Sequence, residues 1–168
     1  MDEKKSELKK IVECLLFVSS VPLSVERLVE VTESDSESIL TAINELTEAH
    51  QNSGIGLRQI AGGWQFFTDP AYMPYIEKLY KPKVQHVSRA GMETLAVIAY
   101  RQPVTKAEIE EIRQVQVDGV ISTLLEKRLI KEVGRKDTPG RPILYGTTEE
   151  FLTVFGLNEL GDLPPMLS

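Results

Sequence analysis

The chain has 168 residues, 42% of them hydrophobic, which fits one medium domain or two small ones and excludes a disordered chain. A single cysteine, Cys14, excludes an internal disulfide and a cysteine-rich zinc site and fits a reducing compartment. Net charge is −6 and unevenly spread: residues 1–80 hold 7 Lys/Arg against 13 Asp/Glu, and residues 81–168 hold 12 of each. An acidic half repels nucleic acid and a neutral half offers no strong field to attract it, so protein partners are expected.

From the N-terminus, mixed charge precedes an unbroken apolar run of only five residues, Cys14 to Val18, too short for a signal-peptide core or a membrane span. The expectation is a cytoplasmic protein. Leu8, Ile11, Val12, Leu15 and Val18 recur at helical spacing. A turn at Pro22 leads to a short helix from Ser24 to Val31. Ser34 to Glu37 has the spacing of a capping box before a third amphipathic helix with Ile39, Ala42, Ile43 and Leu46. Gly54 and Gly56 are expected to break it. Leu57–Ile60 and Trp64–Thr68 flank Ala61-Gly62-Gly63 as a hairpin, and Pro70 opens a last helix with Tyr72, Tyr75, Ile76 and Leu79.

After a linker at Lys81 to Val87 the order repeats. Met92, Leu95, Ala96 and Ala99 mark a helix, and Thr105 to Glu108 is a capping box for a second. Val117, Val120, Ile121 and Leu124 mark a third. Leu129–Val133 and Ile143–Tyr145 read as strands around a loop holding Pro139-Gly140, and Thr147 to Glu150 caps a closing helix through Phe155. At an offset of 81 residues, Leu16-Phe17-Val18, Pro22-Leu23-Ser24, Leu28, Val31, Ile39-Leu40 and Ile43 meet apolar, proline or hydroxyl counterparts from Val97 to Leu124. Three short helices and a hairpin, twice, predict a mainly α protein with small β hairpins. The predicted architecture is two tandem winged-helix domains from an internal duplication, residues 1–82 and 83–168.

Catalytic chemistry finds no constellation. His50 and His86 lack ligands at metal spacing and read as solvated. Cys14 sits in an apolar run without a base and reads as a buried structural thiol. Glu110 and Glu111 are sequence neighbours and cannot share a substrate from one helix face. No enzyme, metal or cofactor is expected. The helix-turn-helix pattern makes a DNA-binding transcriptional regulator the alternative. Against it, the third helices open with Asp35, Glu37 and Ser38 in one half and Gln116 to Gly119 in the other. The one basic patch is Lys131, Arg135, Lys136 and Arg141. Cys14 to Val18 and Leu95 to Tyr100 are apolar around the helix, beyond the one stripe a small domain needs. The late aromatic residues Phe66, Phe67, Tyr72, Tyr75 and Tyr80 are of a type that anchors interfaces.

The stretch Leu95 to Thr105, its continuation Glu108 to Arg113, and Pro139-Gly140-Arg141-Pro142-Ile143-Leu144-Tyr145-Gly146-Thr147-Thr148 resemble the segregation and condensation protein B family. Phe151-Leu152, Phe155-Gly156-Leu157, Leu160 and Asp162-Leu163-Pro164 extend the likeness, which is dense over residues 88–165 and only a matter of pattern before that. Two positions depart from it: Gln114 stands where the family usually has glycine, and Val117 where it usually has serine. The resemblance implies a non-enzymatic subunit of the bacterial chromosome condensation complex, acting at the nucleoid. Such a subunit dimerises and binds the kleisin (segregation and condensation protein A), and through it the SMC ATPase. With the apolar run, it places the dimer interface at Cys14, Leu16, Phe17 and Val18. The partner site is expected at Tyr100, Gln102, Arg135, Arg141, Leu144 and Tyr145.

Overall fold

A computed structural model describes residues 2–80 and 87–165. His86 and the expected linker, apart from Val87, lie outside them. The chain divides into two compact units, Met1–Lys83 and Val84–Ser168. Helices and small antiparallel sheets make up both.

The first unit runs α1 (Asp2–Val18), α2 (Val25–Thr32), α3 (Ser36–Ala49), β1 (Ile55–Ile60), β2 (Gly63–Thr68), a 3-10 turn (Pro70–Tyr72) and α4 (Met73–Tyr80). Val12 and Leu16 of α1, Leu28 of α2, and Ile39, Ala42, Ile43 and Leu46 of α3 form its core, closed by Leu57. The cap of α3 is Asp35, whose carboxylate accepts from the Ser38 amide at 2.8 Å, and not Ser34. An Asp nearer the helix has both oxygens free to bond Ser38, which Ser34 cannot match. Gly56 does not end α3; it sits in β1, where a Cβ would come within 2.6 Å of the Phe67 ring. The β1–β2 turn is Ala61-Gly62, both left-handed as a two-residue hairpin requires. Gly63 belongs to β2, and a Cβ there would stand 2.8 Å from the Leu23 backbone. That closeness permits the bridge in which Leu23 and Trp64 exchange hydrogen bonds of 3.0 and 2.7 Å.

The second unit runs α5 (Arg89–Arg101), β3 (Val104–Thr105), α6 (Lys106–Arg113), α7 (Asp118–Glu126), β4 (Ile130–Arg135), β5 (Ile143–Thr147), α8 (Glu149–Phe155) and a 3-10 turn (Leu160–Asp162). Its sheet has three strands in the order β3-β5-β4, one more than the hairpin read from the sequence. Two residues are too few to show strand alternation, and Thr105 doubles as the cap of α6, which hides β3. Val104 pairs with Tyr145 as Leu23 bridges to Trp64, and both members of the pair are displaced by 81 residues.

The same displacement relates α2 to α6 from cap to cap: Ser24 and Thr105 at the start, left-handed Glu33 and Gln114 at the end. It does not hold for the other helices. The connection from α1 to α2 is two residues longer than that from α5 to α6, so Val12 and Leu16 correspond to Leu95 and Ala99, all buried, at 83 residues. The expected match of Phe17 with Ile98 fails: Phe17 is 78% exposed and Ile98 fully buried. One extra residue between α6 and α7 shifts the third helices to 82, which is why Leu40 is exposed while Ile121 is buried.

Gln114 adopts φ 54°, a conformation that costs a side-chain-bearing residue about 1–2 kcal/mol and glycine little. Gln114→Gly is therefore expected to raise stability by about 0.5–1 kcal/mol in urea unfolding, after the entropy lost by glycine is deducted. At the other end of α6 the capping box is complete. Glu108 accepts from the Thr105 amide and hydroxyl at 2.8 and 2.7 Å and from the Lys136 ammonium at 2.5 Å. The Lys136 bond first, then those from Thr105, lower the Glu108 carboxyl to about 2. Because its folded value lies below the unfolded one, the stabilisation is full above an ordinary carboxylate pKa and fades as pH falls toward about 2. Glu108→Gln should lower the melting temperature at pH 7, with the gap to the parent protein narrowing as acid is added through that range.

Candidate partner-binding faces

On α1 the exposed and buried residues separate cleanly. Phe17 and Val18 are each 78% exposed and Val21, just beyond, 59%. Leu16 is 1% exposed and spent in its own core, so it is removed from the expected dimer interface. Cys14 is exposed rather than a buried structural thiol, because the core face of α1 passes through Val12 and Leu16. Glu13, Cys14, Phe17, His50, Ile55 and Phe66 line a hollow of about 220 Å³. His50, read as solvated, is half-buried. Its Nδ1 lies 2.9 Å from the Leu46 carbonyl, which can only accept, so that nitrogen carries the proton. Its ring edge meets Phe66 at 5.2 Å between centroids. Of the other aromatic residues, Phe66 and Phe67 are half-buried, whereas Tyr72, Tyr75 and Tyr80 are exposed.

In the second unit the expected site residues do not form one surface. Tyr145 is buried in the core, where desolvation and then the Glu132 charge raise its phenol pKa; it is removed from the partner site. Gln102 caps the end of α5. Its amide nitrogen donates to the Ala99 carbonyl and the Thr147 hydroxyl at 3.1 and 3.0 Å, and its oxygen accepts from the Thr147 amide at 2.7 Å. It is thus an internal strut from α5 to β5 and is likewise removed. Leu144 is half-buried in β5, opposite Thr105 and Gly134. Arg135 and Arg141 remain on the surface. The Arg135 guanidinium donates to the Arg141 carbonyl at 3.1 Å, and the Arg141 amide to the Thr138 carbonyl at 2.8 Å. The Arg141 guanidinium bonds no other described residue. Lys136 is engaged by Glu108, which thins the basic patch to Lys131, Arg135 and Arg141.

Tyr100 is half-buried, and its hydroxyl donates to the Pro164 carbonyl at 2.5 Å. This bond, with Leu163 against the core, lays the tail along α5. Between them lies a groove of about 590 Å³ lined by Ala96, Val97, Tyr100, Arg101, Ile112, Pro164 and Pro165. The all-round apolar stretch Leu95 to Tyr100 read from the sequence covers Ala96, Val97 and Tyr100, whereas Arg101, Ile112 and the prolines were missed. Ile112 and Val31, matched as apolar positions of the repeat, are 50% and 48% exposed. At the 83-residue displacement that relates the buried faces of α1 and α5, Glu13, Cys14, Phe17 and Val18 fall on Ala96, Val97, Tyr100 and Arg101. Both units therefore open the same face of the same helix.

Arg113 ties α6 to α5, bonding the Ala90 carbonyl at 2.9 Å, the Glu93 carboxylate at 2.6 Å and the fully buried Thr94 hydroxyl. Among the described residues no group of three His, Cys, Asp or Glu could hold a metal ion, and no helix is long and apolar enough to cross a membrane.

A two-unit protein with apolar helix faces turned to solvent is built to bind other chains. Residues 10–166 match the family model of the segregation and condensation complex subunit ScpB, and the chain belongs to that family. Segregation and condensation protein B of Moorella thermoacetica is 49% identical over 162 residues, 95% of this chain and 83% of that protein. The crystal structure of ScpB from Mycobacterium tuberculosis is 38% identical over 91% of this chain and 97% of that one, with a TM-score of 0.44. A dimer of a ScpB N-terminal domain complexed with ScpA peptide is 30% identical over 44% of this chain and 95% of that one, at 0.42.

The strut reading of Gln102 carries its own test. Gln102→Ala leaves the Thr147 amide and hydroxyl short of partners, which should cost about 1–3 kcal/mol in chemical unfolding. Arg141→Ala, with no side-chain partner to lose, should leave the midpoint nearly unchanged.

Proposed function

We propose that the protein is a non-catalytic adaptor of the SMC–kleisin chromosome condensation complex. In this reading it is two winged-helix units from one duplication, with two copies pairing through the first unit and the second holding a kleisin segment. The complex brings it to the nucleoid. Family membership supports the assignment of the complex. The observation that carries the adaptor reading is the pair Phe17 and Val18, each 78% exposed at the end of a helix that a lone small domain would bury or cap with polar residues. Duplication is supported by the common α2/α6 frame and its strand pairing.

As a DNA-binding regulator the chain would present α3 and α7 to the major groove. Asp35 and Glu37 begin the one and Asp118 the other, where carboxylates would meet phosphates. Sedimentation of the full-length chain tests the pairing: a dimer at micromolar concentration is expected, and Phe17→Glu should yield monomers that keep the parent melting temperature. A Phe17→Glu protein that remains dimeric sinks the placement. Duplex DNA should bind only weakly and be released between about 50 and 200 mM salt. A salt-resistant complex with one operator would replace the adaptor by a regulator.

A further inference from the structure

Residues 127–142, which run between α7 and β5 with β4 inside, hold six Lys/Arg against two Asp/Glu, while the other residues hold 13 against 23. An acidic chain thus carries one basic hairpin. Residues 46–61 of the first unit, at the displacement of 81, hold one cation and one carboxylate, and that cation, Arg58, lies over the Phe67 ring at 4.9 Å. In the second hairpin Arg128, Lys131, Arg135 and Arg141 are exposed and pair with no carboxylate of a described residue; Lys136 is engaged by Glu108. The tip is held stiffly. Thr138 to Arg141 form a turn closed by the Arg141 amide on the Thr138 carbonyl at 2.8 Å, with Pro139 second and Gly140 third at φ 83°, as a type II turn requires. Below it the Lys136 amide donates to the Pro142 carbonyl at 2.9 Å, and the Arg135 guanidinium crosses the loop to the Arg141 carbonyl at 3.1 Å.

We infer that this hairpin is a contact point for the phosphate backbone of duplex DNA, made by Arg135 and Arg141 at the tip with Arg128 and Lys131 behind them. Residues 134–141 offer no aromatic or aliphatic side chain apart from Pro139, so the tip lacks the apolar anchor that centres a protein interface. A phosphate backbone asks only for cations and N–H donors, and a stiff tip presents them at little cost in entropy. The contact is weak and blind to sequence, because α7, the helix that would read bases, opens with Asp118 and meets phosphates with a carboxylate. The remaining charge of the chain repels the duplex, which leaves the hairpin as the place where it is met. This role is additional to the adaptor reading and does not depend on it.

Fluorescence anisotropy of a labelled short duplex, titrated with the full-length protein at about 50 mM salt, tests this. The parent should bind with a dissociation constant on the order of 10 µM, whatever the sequence of the duplex. The double variant Arg135→Ala/Arg141→Ala should bind about tenfold or more weakly, and the slope of log affinity against log salt should fall by about 2, close to one for each lost phosphate contact. Arg141→Ala alone, with no side-chain bond to lose, should lower the slope by about 1 and decides the matter if the double variant disturbs folding. Arg89→Ala removes the same charge from an exposed position outside the hairpin and should bind within about twofold of the parent. If Arg89→Ala weakens binding as much as Arg141→Ala, the duplex follows net charge and the inference is wrong. It is equally wrong if the parent does not bind, or if the hairpin variants bind like the parent. Poly-glutamate that displaces the duplex at equal charge concentration would assign the hairpin to an acidic protein instead and overturn the inference.

Discussion

Each unit depends on a short backbone pairing that ties the segment after its first helix to the second arm of its hairpin. In the first unit it is the Leu23–Trp64 bridge; in the second it is β3 on β5, with Val104 opposite Tyr145. A unit of this size has little core, and three short helices do not by themselves fix where a two-stranded hairpin sits. The pairing fixes it. It brings Trp64 and Tyr145 onto the helices, one partly buried and the other buried, and it sets the start of the second helix, because Ser24 and Thr105 follow the paired residues directly as caps. Gly63 is part of the same constraint, since only a residue without Cβ lets the β2 backbone approach Leu23.

Fixed at that point, the helix before it is free to differ in phase. The two extra residues between α1 and α2 change the displacement from 81 to 83 without disturbing the second helix. This is why the repeat was legible around Pro22 and Pro103, where proline, apolar and hydroxyl residues stand in a fixed order, and misread in the first helix. A run such as Leu15-Leu16-Phe17-Val18 offers no polar residue to mark its outer face, so either phase looks equally good on paper. Burial decides between them: Leu16 inside, Phe17 outside.

Site residues were legible to the extent that their chemistry was local. The capping box at Thr105–Glu108 was read correctly because cap and partner lie three residues apart. Gln102 was misassigned because its partner, Thr147, lies 45 residues away, and a glutamine after a helix looks free until β5 is folded against it. Tyr145 was misassigned for the converse reason: its ring fills the place opposite Val104, which no spacing rule announces. The departures at Gln114 and Val117 fall where the backbone most wants glycine and serine. Gln114 is left-handed, and Val117 caps α7 without a side-chain bond. Val117 offsets that lack by burying its side chain, 1% exposed, while Glu110 accepts from its amide at 3.1 Å. A buried valine contributes about 1.5–3 kcal/mol and a serine cap about 1, so the core contact outweighs the missing cap.

The two open helix faces then differ in chemistry and not in position. Cys14, Phe17 and Val18 on α1 and Val97, Tyr100 and Arg101 on α5 occupy equivalent sites relative to their cores. Opposite the first lies a hollow walled by His50, Ile55 and Phe66 of its own unit. Opposite the second lies the tail, held by one hydrogen bond from Tyr100, with Ile112 completing the floor. A surface that pairs with its own copy must be complementary to itself, a condition that an apolar ring and valine at a helix end meet without any charge to match. The exchange of valine for arginine at the end of the first helix is the chemical difference that most distinguishes the two faces.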